Sequence, residues 1–396
     1  MKKNLSRMLP PLSIWILGIT SGLINLSNLM VFSLIGVYSL HVLELSPMII
    51  GLIEGIGDFF SWIVRFFAGT ISDYFKKRKS IIVFGYILFI CSRIVLLVTH
   101  TGLGITFSRL TDRAGYGMQS APREALVADL SPPNQKGTNY GLRHALSIIG
   151  AILGACAATY LLKTTDNNYH TVFLFAIIPA VFALILLVKK IHDPKTLKQN
   201  IVHRIPIRIQ DLKSLGIPYW RFIFITFLFT LGQQTPVFLS LQADAFGLKL
   251  QNIPLIMVVY SIIEVLLSYP VGILSDYTNR KIFVFLGFMA LAASSYVLGL
   301  ADNLNQIFIG LALWGVQLGF TKGIFHTLIA DYAPTNLRAT AFGVFYLMTG
   351  SGFFISNSLS GWISSVWDIS FMFLIKGHIC VLSIFLLLFM KMKKQF

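Results

Sequence analysis

Three ionisable residues share one face of an apolar stretch early in the chain. Glu54, Asp58 and Arg65 follow one another at spacings of four and seven residues, so a helix would present them on the same side. An ionisable group at bilayer depth costs at least about 2.5 kcal/mol, and such groups are therefore paired, hydrated or functional. The pattern predicts that Glu54 or Asp58 exchanges a proton beside a basic partner, and a permanent structural ion pair is the alternative.

Four charged residues from three apolar stretches are predicted to meet in one buried network. Counted at about 1.5 Å per residue from the nearest polar loops, Asp58, Arg93 and Arg113 all lie roughly 20–24 Å deep. Asp112 precedes Arg113 and shares its depth. Proton exchange and a fixed set of ion pairs between helices are the two alternatives for this network.

Glu264 lies roughly 18 Å inside another apolar stretch, and no basic residue is close to it in the sequence. Lys322, in a later stretch, is its expected partner. Such a pair either stabilises the packing of two helices or binds a substrate, and the sequence favours neither.

The whole chain is far more apolar than a soluble domain. Of its 396 residues, 55% are hydrophobic and only 12% are charged, which excludes a disordered or conventionally soluble protein. The three cysteines, Cys91, Cys156 and Cys380, all fall in apolar stretches, so neither a disulfide framework nor a metal cluster is expected. No nucleotide-binding loop is present in the sequence, and we expect no cofactor.

Continuous apolar runs bounded by charge, proline or glycine predict twelve membrane-spanning helices, numbered here as spans 1 to 12. Helices are expected instead of a barrel because the runs are continuous and do not alternate. The predicted spans cover residues 12–40, 48–72, 80–100, 103–128, 138–162, 170–189, 219–241, 251–275, 281–300, 304–330, 340–366 and 371–390.

The net charge of +16 has a topological explanation. Of the 32 Lys and Arg residues, 21 fall on one side of the predicted membrane and two, Lys163 and Lys249, fall on the other. This asymmetry follows the positive-inside rule and predicts that both termini are cytoplasmic. The basic residues suit contact with anionic lipid, so a nucleic-acid partner is not expected.

Two segments of the sequence recur at nearly the same interval. Residues 69–78 match residues 272–281 at an offset of 203, and residues 128–136 match residues 330–338 at an offset of 202. The repeat predicts an all-α integral membrane protein of two pseudo-symmetric six-helix bundles, with a site between the halves. The predicted parts are an N-terminal bundle of residues 1–190, a basic cytoplasmic linker of residues 191–217 and a C-terminal bundle of residues 218–396.

The chain resembles the Major Facilitator Superfamily over its whole length, and the repeated segments contain part of that resemblance. Gly69, Asp73, Lys77 and Arg78 fit the G-x-x-x-D-x-x-G-R-[RK] signature of that family, with Lys76 in place of its second glycine. The resemblance implies that the signature aspartate latches the cytoplasmic side closed through neighbouring basic residues.

The resemblance and the repeat together imply a cytoplasmic gate in both halves. The latching role carries over to Asp73 and, in the second half, to Asp276 with Arg280. A gate and simple interfacial snorkelling are both open for four residues near the cytoplasmic ends of spans 4 and 5, namely Arg123, Glu124, Arg143 and His144. The predicted gate comprises Asp73, Lys77, Arg78, Arg123, Glu124, Asp129, Asp276, Arg280, Asp331 and Arg338.

Spans 4 and 5 carry more specific motifs. Residues 112–126 resemble the D-R-x-G-K-G-x-R-x-A-P-R-[DE]-A pattern of a group of bacterial facilitators, with Tyr116 and Gln119 replacing two basic residues. Residues 150–155 read GAILGA, similar to an antiporter signature but without its proline. Close packing between small residues is the favoured interpretation of this second motif.

In the family that the chain resembles, spans 1, 4, 7 and 10 line a central cavity. The polar candidates on these spans combine amides, aromatic groups and few charges, which suits a small organic solute; hydrogen bonding between helices is the alternative. Pro236 is expected to break span 7 near the cavity, because proline has no N–H to donate. The candidates are Asn25, Asn28, Tyr116, Gln119, Gln233, Gln234, Trp314, Gln317 and Lys322.

The resemblance implies a secondary active transporter of the bacterial inner membrane, acting as a monomer and without enzymatic activity. Its expected partners are a small-molecule solute, protons and the lipid bilayer. Export of siderophores or drugs is an alternative within the same fold. A lipid-modifying membrane enzyme or a non-transporting solute sensor belongs to another class, and the absence of H-E-x-x-H and G-x-S-x-G motifs from the sequence argues against the enzyme.

Overall fold

The computed structural model describes residues 10–75, 77–131, 136–193, 214–332 and 338–389. Across these ranges the chain is almost entirely helical and contains no β-strand, which confirms the predicted all-α class. Every predicted span is occupied by helix. The spans run over Leu12–His41, Pro47–Phe75, Arg78–Val98, Gly102–Leu130, Lys136–Thr164, Tyr169–Lys190, Gly216–Ala245, Leu255–Tyr277, Arg280–Gly299, Leu304–Tyr332, Arg338–Val366 and Ile369–Phe389.

The surfaces of these helices identify a multi-pass membrane protein. Ten of the twelve spans are long and apolar enough to cross a membrane, judged by length and composition over the described residues. Span 4 carries six charged residues, and span 11 is rich in serine and glycine, so their sequences are more polar. Large apolar side chains such as Leu103 and Phe389 are 85% and 72% exposed, as expected where helices face lipid.

The chain forms two compact units. The first comprises Met1–Phe32 and Phe60–Val202, and the second comprises Ser33–Phe59 and His203–Phe396. Spans 1 and 2 are each divided between the units, because the halves that adjoin their connecting loop belong with spans 7 to 12. The predicted boundaries at the linker stay a prediction, and residues 194–213 lie outside the described part of the chain.

Span 7 consists of two helices separated by a break at residues 233–235. The first helix ends at Gly232 and the second begins at Pro236, as the proline predicts. Pro236 has no N–H to donate to a carbonyl of the first helix. The N–H of the preceding residue, Thr235, donates to Asn357 Oδ1 at 3.1 Å and not to the first helix. The break therefore frees carbonyl groups at the end of the first helix.

Small residues bring spans 1 and 5 of the first unit into backbone contact. A side chain at Gly150 would overlap the backbone of Gly22, and a side chain at Gly154 would overlap the backbone of Leu26. This close approach is the geometry that small residues allow between membrane helices, and it agrees with the packing interpretation of the span 5 motif.

An aromatic cluster packs the interior of the second unit. Phe229 of span 7 stacks on Phe288 of span 9 with ring centroids 3.9 Å apart, and Phe325 of span 10 meets both rings edge-on. Such pairs stabilise packing beyond the burial of their apolar area. The cluster packs the first helix of span 7 against spans 9 and 10.

Candidate functional site

A buried charge cluster lies in the first unit, where spans 3 and 4 meet. Arg93 Nη2 is 2.9 Å from Asp112 Oδ1, and Arg109 Nη1 is 3.2 Å from Asp112 Oδ2. All three side chains are at most 3% exposed. The Arg93 guanidinium also lies over the Phe89 ring at 4.1 Å and donates to Asn28 Oδ1 at 3.3 Å. The structure thus brings together Arg93, Asp112 and Asn28, one of the two cavity candidates of span 1.

Arg113 belongs to the same region of the first unit. Its guanidinium carbon lies 5.3 Å from the centroid of the Phe32 ring, and that of Arg109 lies 5.1 Å from the same centroid. A ring face attracts cations at this distance. Three arginines of spans 3 and 4 therefore gather around the carboxylate of Asp112.

Asp58 lies in the second unit, where it contacts span 11. Asn357 Nδ2 donates to Asp58 Oδ2 at 3.3 Å, while Asn357 Oδ1 accepts from the N–H of Thr235. A backbone N–H can only donate, so the orientation of the Asn357 amide is fixed by the chain. One side chain thereby connects span 2 to the break of span 7. Glu54, one turn before Asp58, is 3% exposed.

Glu264 and Lys322 form an ion pair between spans 8 and 10. Lys322 Nζ lies 2.6 Å from Glu264 Oε1, and the lysine side chain is 58% exposed whereas the glutamate is 12% exposed. On the same two spans, Tyr260 and Trp314 meet edge-on with ring centroids 4.6 Å apart. An accessible ammonium and a nearby aromatic pair could contact a solute that has both a polar and an aromatic part.

Two of the other cavity candidates bond to neighbouring side chains. Asn25 Nδ2 donates to Ser147 Oγ at 2.6 Å, which links spans 1 and 5. Gln119 accepts from Arg123 Nη1 at 3.0 Å, one turn along span 4. Tyr116 is more exposed, at 37%. Asn25 thus makes a hydrogen bond between helices, whereas the hydrogen bond of Gln119 lies within span 4.

Three of the cavity candidates in the second unit keep buried polar atoms without a hydrogen-bond partner among the described residues. They are Gln234 with both amide atoms, Trp314 with Nε1 and Gln317 with Oε1. Buried polar atoms are normally satisfied by protein or by ordered water. A bound solute or water could therefore hydrogen-bond to these atoms.

Two ion pairs occupy equivalent positions in the two units. Arg78 Nε lies 2.7 Å from Asp129 Oδ2 in the first unit, and Arg280 pairs with Asp331 in the second. Asp129 and Asp331 correspond at the repeat offset of 202, and Arg280 lies one residue before the position that the offset of 203 aligns with Arg78. Each pair ties the start of one span to the end of the next.

The rest of the predicted gate is described in part. Arg143 Nη2 lies 2.8 Å from Glu124 Oε1, which joins spans 5 and 4, and Lys77 is exposed. The latch of the signature motif stays a prediction, because the side chains of Asp73, Asp276 and Arg338 lie outside the described part of the chain.

Reversing the second-unit pair tests its contribution to stability. Arg280→Asp places two carboxylates side by side and is expected to lower the free energy of unfolding by about 1 kcal/mol, the scale of a half-exposed pair. Adding Asp331→Arg should recover most of that loss. The melting temperatures of purified single and double variants check this, and a double variant no more stable than Arg280→Asp would contradict it.

Contacts at the loop-facing ends of spans 1 and 2 also belong to the second unit. His41 Nε2 lies 2.6 Å from Asp244 Oδ2 at the end of span 7. A Cβ on Gly51 would lie 2.8 Å from the Cα of Gly361, so spans 2 and 11 meet backbone to backbone. We call these two contacts and the Asp58–Asn357 hydrogen bond the closing contacts.

Sequence reasoning assigns no role to Arg109, Asn357 or Lys376, which the structure places in buried polar contacts. The sequence does contain one signal for Arg109 and Lys376, because an ionisable residue within a span is costly and is therefore expected to have a polar partner or a function. Asn357 carries none, because it is one amide among many polar residues of span 11.

Comparison with known proteins decides the family. The family model described as Major Facilitator Superfamily matches residues 16–254 and again residues 222–395. The chain belongs to this superfamily of membrane transporters. An uncharacterized MFS-type transporter of Methanocaldococcus jannaschii is 28% identical over 387 residues, which cover 95% of this chain and 94% of that protein.

Two further comparisons concern proteins whose names state a function. The quinolone resistance protein NorA of Staphylococcus aureus is 33% identical over 133 residues, 34% of this chain and 33% of that protein. The crystal structure of the nucleoside transporter NupG has a TM-score of 0.79 and 15% identity, covering 95% of this chain and 98% of that one. At that identity the likeness establishes the MFS fold and nothing about the solute.

Proposed function

We propose that this MFS chain is a secondary active transporter that moves a small organic solute by alternating access. The closing contacts support this proposal, because they attach the loop-facing halves of spans 1 and 2 to spans 7 and 11 within the second unit. These contacts are an ion pair, a glycine-to-glycine approach and one hydrogen bond. Each of them can separate and re-form without breaking the backbone hydrogen bonds of a helix, and alternating access needs such reversible contacts.

Proton coupling in this proposal acts through Asp58. An ionised Asp58 accepts a charge-assisted hydrogen bond from Asn357, and protonation removes the charge from that bond. Span 2 is then held less firmly to span 11 and to the break of span 7. Glu54, buried one turn away, is the second candidate for the same proton.

The remaining buried charges have supporting roles in this proposal. The cluster of Arg93, Asp112 and Arg113 holds spans 3 and 4 together in the first unit. Glu264 and Lys322 meet the solute in the second unit, where the ammonium is accessible and an aromatic pair lies on the same spans. A drug of the quinolone type is a second candidate for the solute, because of the local similarity to NorA.

The distribution of charge supports the proposed location. With 21 Lys and Arg residues on one side and two on the other, both termini are cytoplasmic in a bacterial plasma membrane. We further propose that the protein acts as a monomer and carries out no covalent chemistry.

Counterflow in proteoliposomes tests the proposal. Liposomes containing the purified protein are loaded with an unlabelled solute from a panel of small organic compounds that includes a quinolone, and the labelled solute is added outside. We expect transient entry of the label for at least one solute, above the level of protein-free liposomes. Chemical conversion of the solute would indicate a membrane enzyme, and binding without exchange would indicate a sensor; either result would contradict transport.

A further inference from the structure

Lys376 of span 12 is a fully buried lysine inside the second unit. Its exposed fraction is 0%, and it lies seven residues, roughly 10 Å, inside the span from Ile369. Within the described ranges, its hydrogen-bond partners are all neutral oxygen atoms, and no carboxylate pairs with it. A charge at this depth is costly, so these oxygens must supply the compensation.

The oxygens around Lys376 come from the break of span 7 and from span 11. Its Nζ donates to the carbonyl of Leu231 at 2.9 Å, to the carbonyl of Ser356 at 2.9 Å and to the carbonyl of Gln233 at 3.3 Å. The hydroxyl of Ser356 is a fourth acceptor, and its own proton is donated to the carbonyl of Leu231. Gly232 permits the approach of span 12, because a side chain there would overlap Cys380 Sγ.

This arrangement has the chemistry of a cation site. Several neutral oxygens arranged around one point replace the hydration shell of a monovalent cation. Carbonyls of interrupted membrane helices are suited to this task because their helical donors are missing. We propose that the break of span 7 is a monovalent-cation site whose resident cation is the ammonium group of Lys376.

The site adjoins one of the closing contacts. Ser356 and Asn357 are consecutive residues of span 11. Ser356 accepts a hydrogen bond from the ammonium group of Lys376, and Asn357 connects Thr235 to Asp58. Loss of the cation would therefore loosen the break that Asn357 holds. This consequence for transport rests on the proposed function, whereas the cation site itself does not.

Removal of the ammonium should make the site accept a dissolved ion. We expect the melting temperature of purified Lys376→Ala to rise by several degrees in potassium or sodium chloride, relative to choline chloride at the same ionic strength. The wild-type protein should show no such difference, because its site is filled. Adding Ser356→Ala to Lys376→Ala removes one oxygen ligand and should reduce the shift.

Two control variants isolate the site. Lys281→Ala removes an ammonium that donates to the carbonyl of Leu388 at the protein surface, and it should show no cation dependence. Lys376→Met fills the volume without a charge, so it should be less stable than the wild type and should not respond to the salts.

The proposal is overturned if folded Lys376→Ala melts at the same temperature in all three salts, or if Lys376→Met is as stable as the wild type. Failure of Lys376→Ala to fold in every salt would overturn it as well, because potassium or sodium should then replace the ammonium. Recovery of folded Lys376→Ala only in potassium or sodium chloride would support it. None of these measurements requires transport, so they fail or succeed independently of counterflow.

Discussion

Asp112→Ala is expected to lower the free energy of unfolding by about 3–5 kcal/mol, the cost of breaking a buried ion pair. The Asp112 carboxylate is shared by Arg93 and Arg109, and all three side chains are nearly inaccessible. Its removal leaves two guanidinium groups in a region of low dielectric without the acid that they share. Titration of the protein in mixed micelles with sodium dodecyl sulfate, followed by tryptophan fluorescence, measures the change.

Two variants control this stability prediction. Asp302→Ala removes an exposed acid and should change the free energy of unfolding by less than about 0.5 kcal/mol. Asp112→Asn keeps an acceptor oxygen but no charge, so its loss should fall between those of the two alanine variants. A loss below about 1 kcal/mol for Asp112→Ala would show that the cluster does not stabilise the first unit.

Asp58→Asn is expected to uncouple solute movement from the proton gradient. An amide at position 58 can still accept from Asn357 but cannot bind and release a proton, so the contact no longer responds to protonation. Accumulation driven by an imposed pH gradient should fall by roughly tenfold, the effect of losing about 1.4 kcal/mol of coupling. Counterflow, which needs no gradient, should remain close to the wild-type rate.

Matched variants separate coupling from packing at this position. Asp58→Glu retains a titratable carboxyl and should keep part of the gradient-driven accumulation, although the longer side chain changes the distance to Asn357. Glu54→Gln tests the second candidate acid in the same assay. If Asp58→Asn and Glu54→Gln both keep the full proton dependence, neither acid of span 2 couples transport to protons.

The fold could be predicted from the sequence because the bilayer imposes simple rules. Backbone groups in hydrocarbon must be satisfied within a helix, so long apolar runs define the spans. Pro236 predicts the break of span 7, since a missing N–H is a local property. The ion pair of Glu264 and Lys322 could be predicted as well, because their opposite charges and their depths within the spans can be read from the sequence.

The rest of the site depends on contacts that no local pattern encodes. Asn357 connects residues that are 299 and 122 positions away, and its amide resembles many others on the spans. Lys376 has no acidic partner among the described residues, and two of its acceptors are carbonyls at the break of span 7, which become available only because the helix is interrupted there. The division of spans 1 and 2 between the units depends on tertiary packing, which the repeat in the sequence does not reveal.

Alternating access as proposed requires the closing contacts to separate during each transport cycle. A His41→Cys, Asp244→Cys variant, with Cys91, Cys156 and Cys380 replaced, allows a short reducible cross-linker to join spans 1 and 7 where the native pair lies. We predict that cross-linking lowers counterflow to the level of protein-free liposomes and that reduction restores it. Full counterflow with the cross-link intact would contradict the claim.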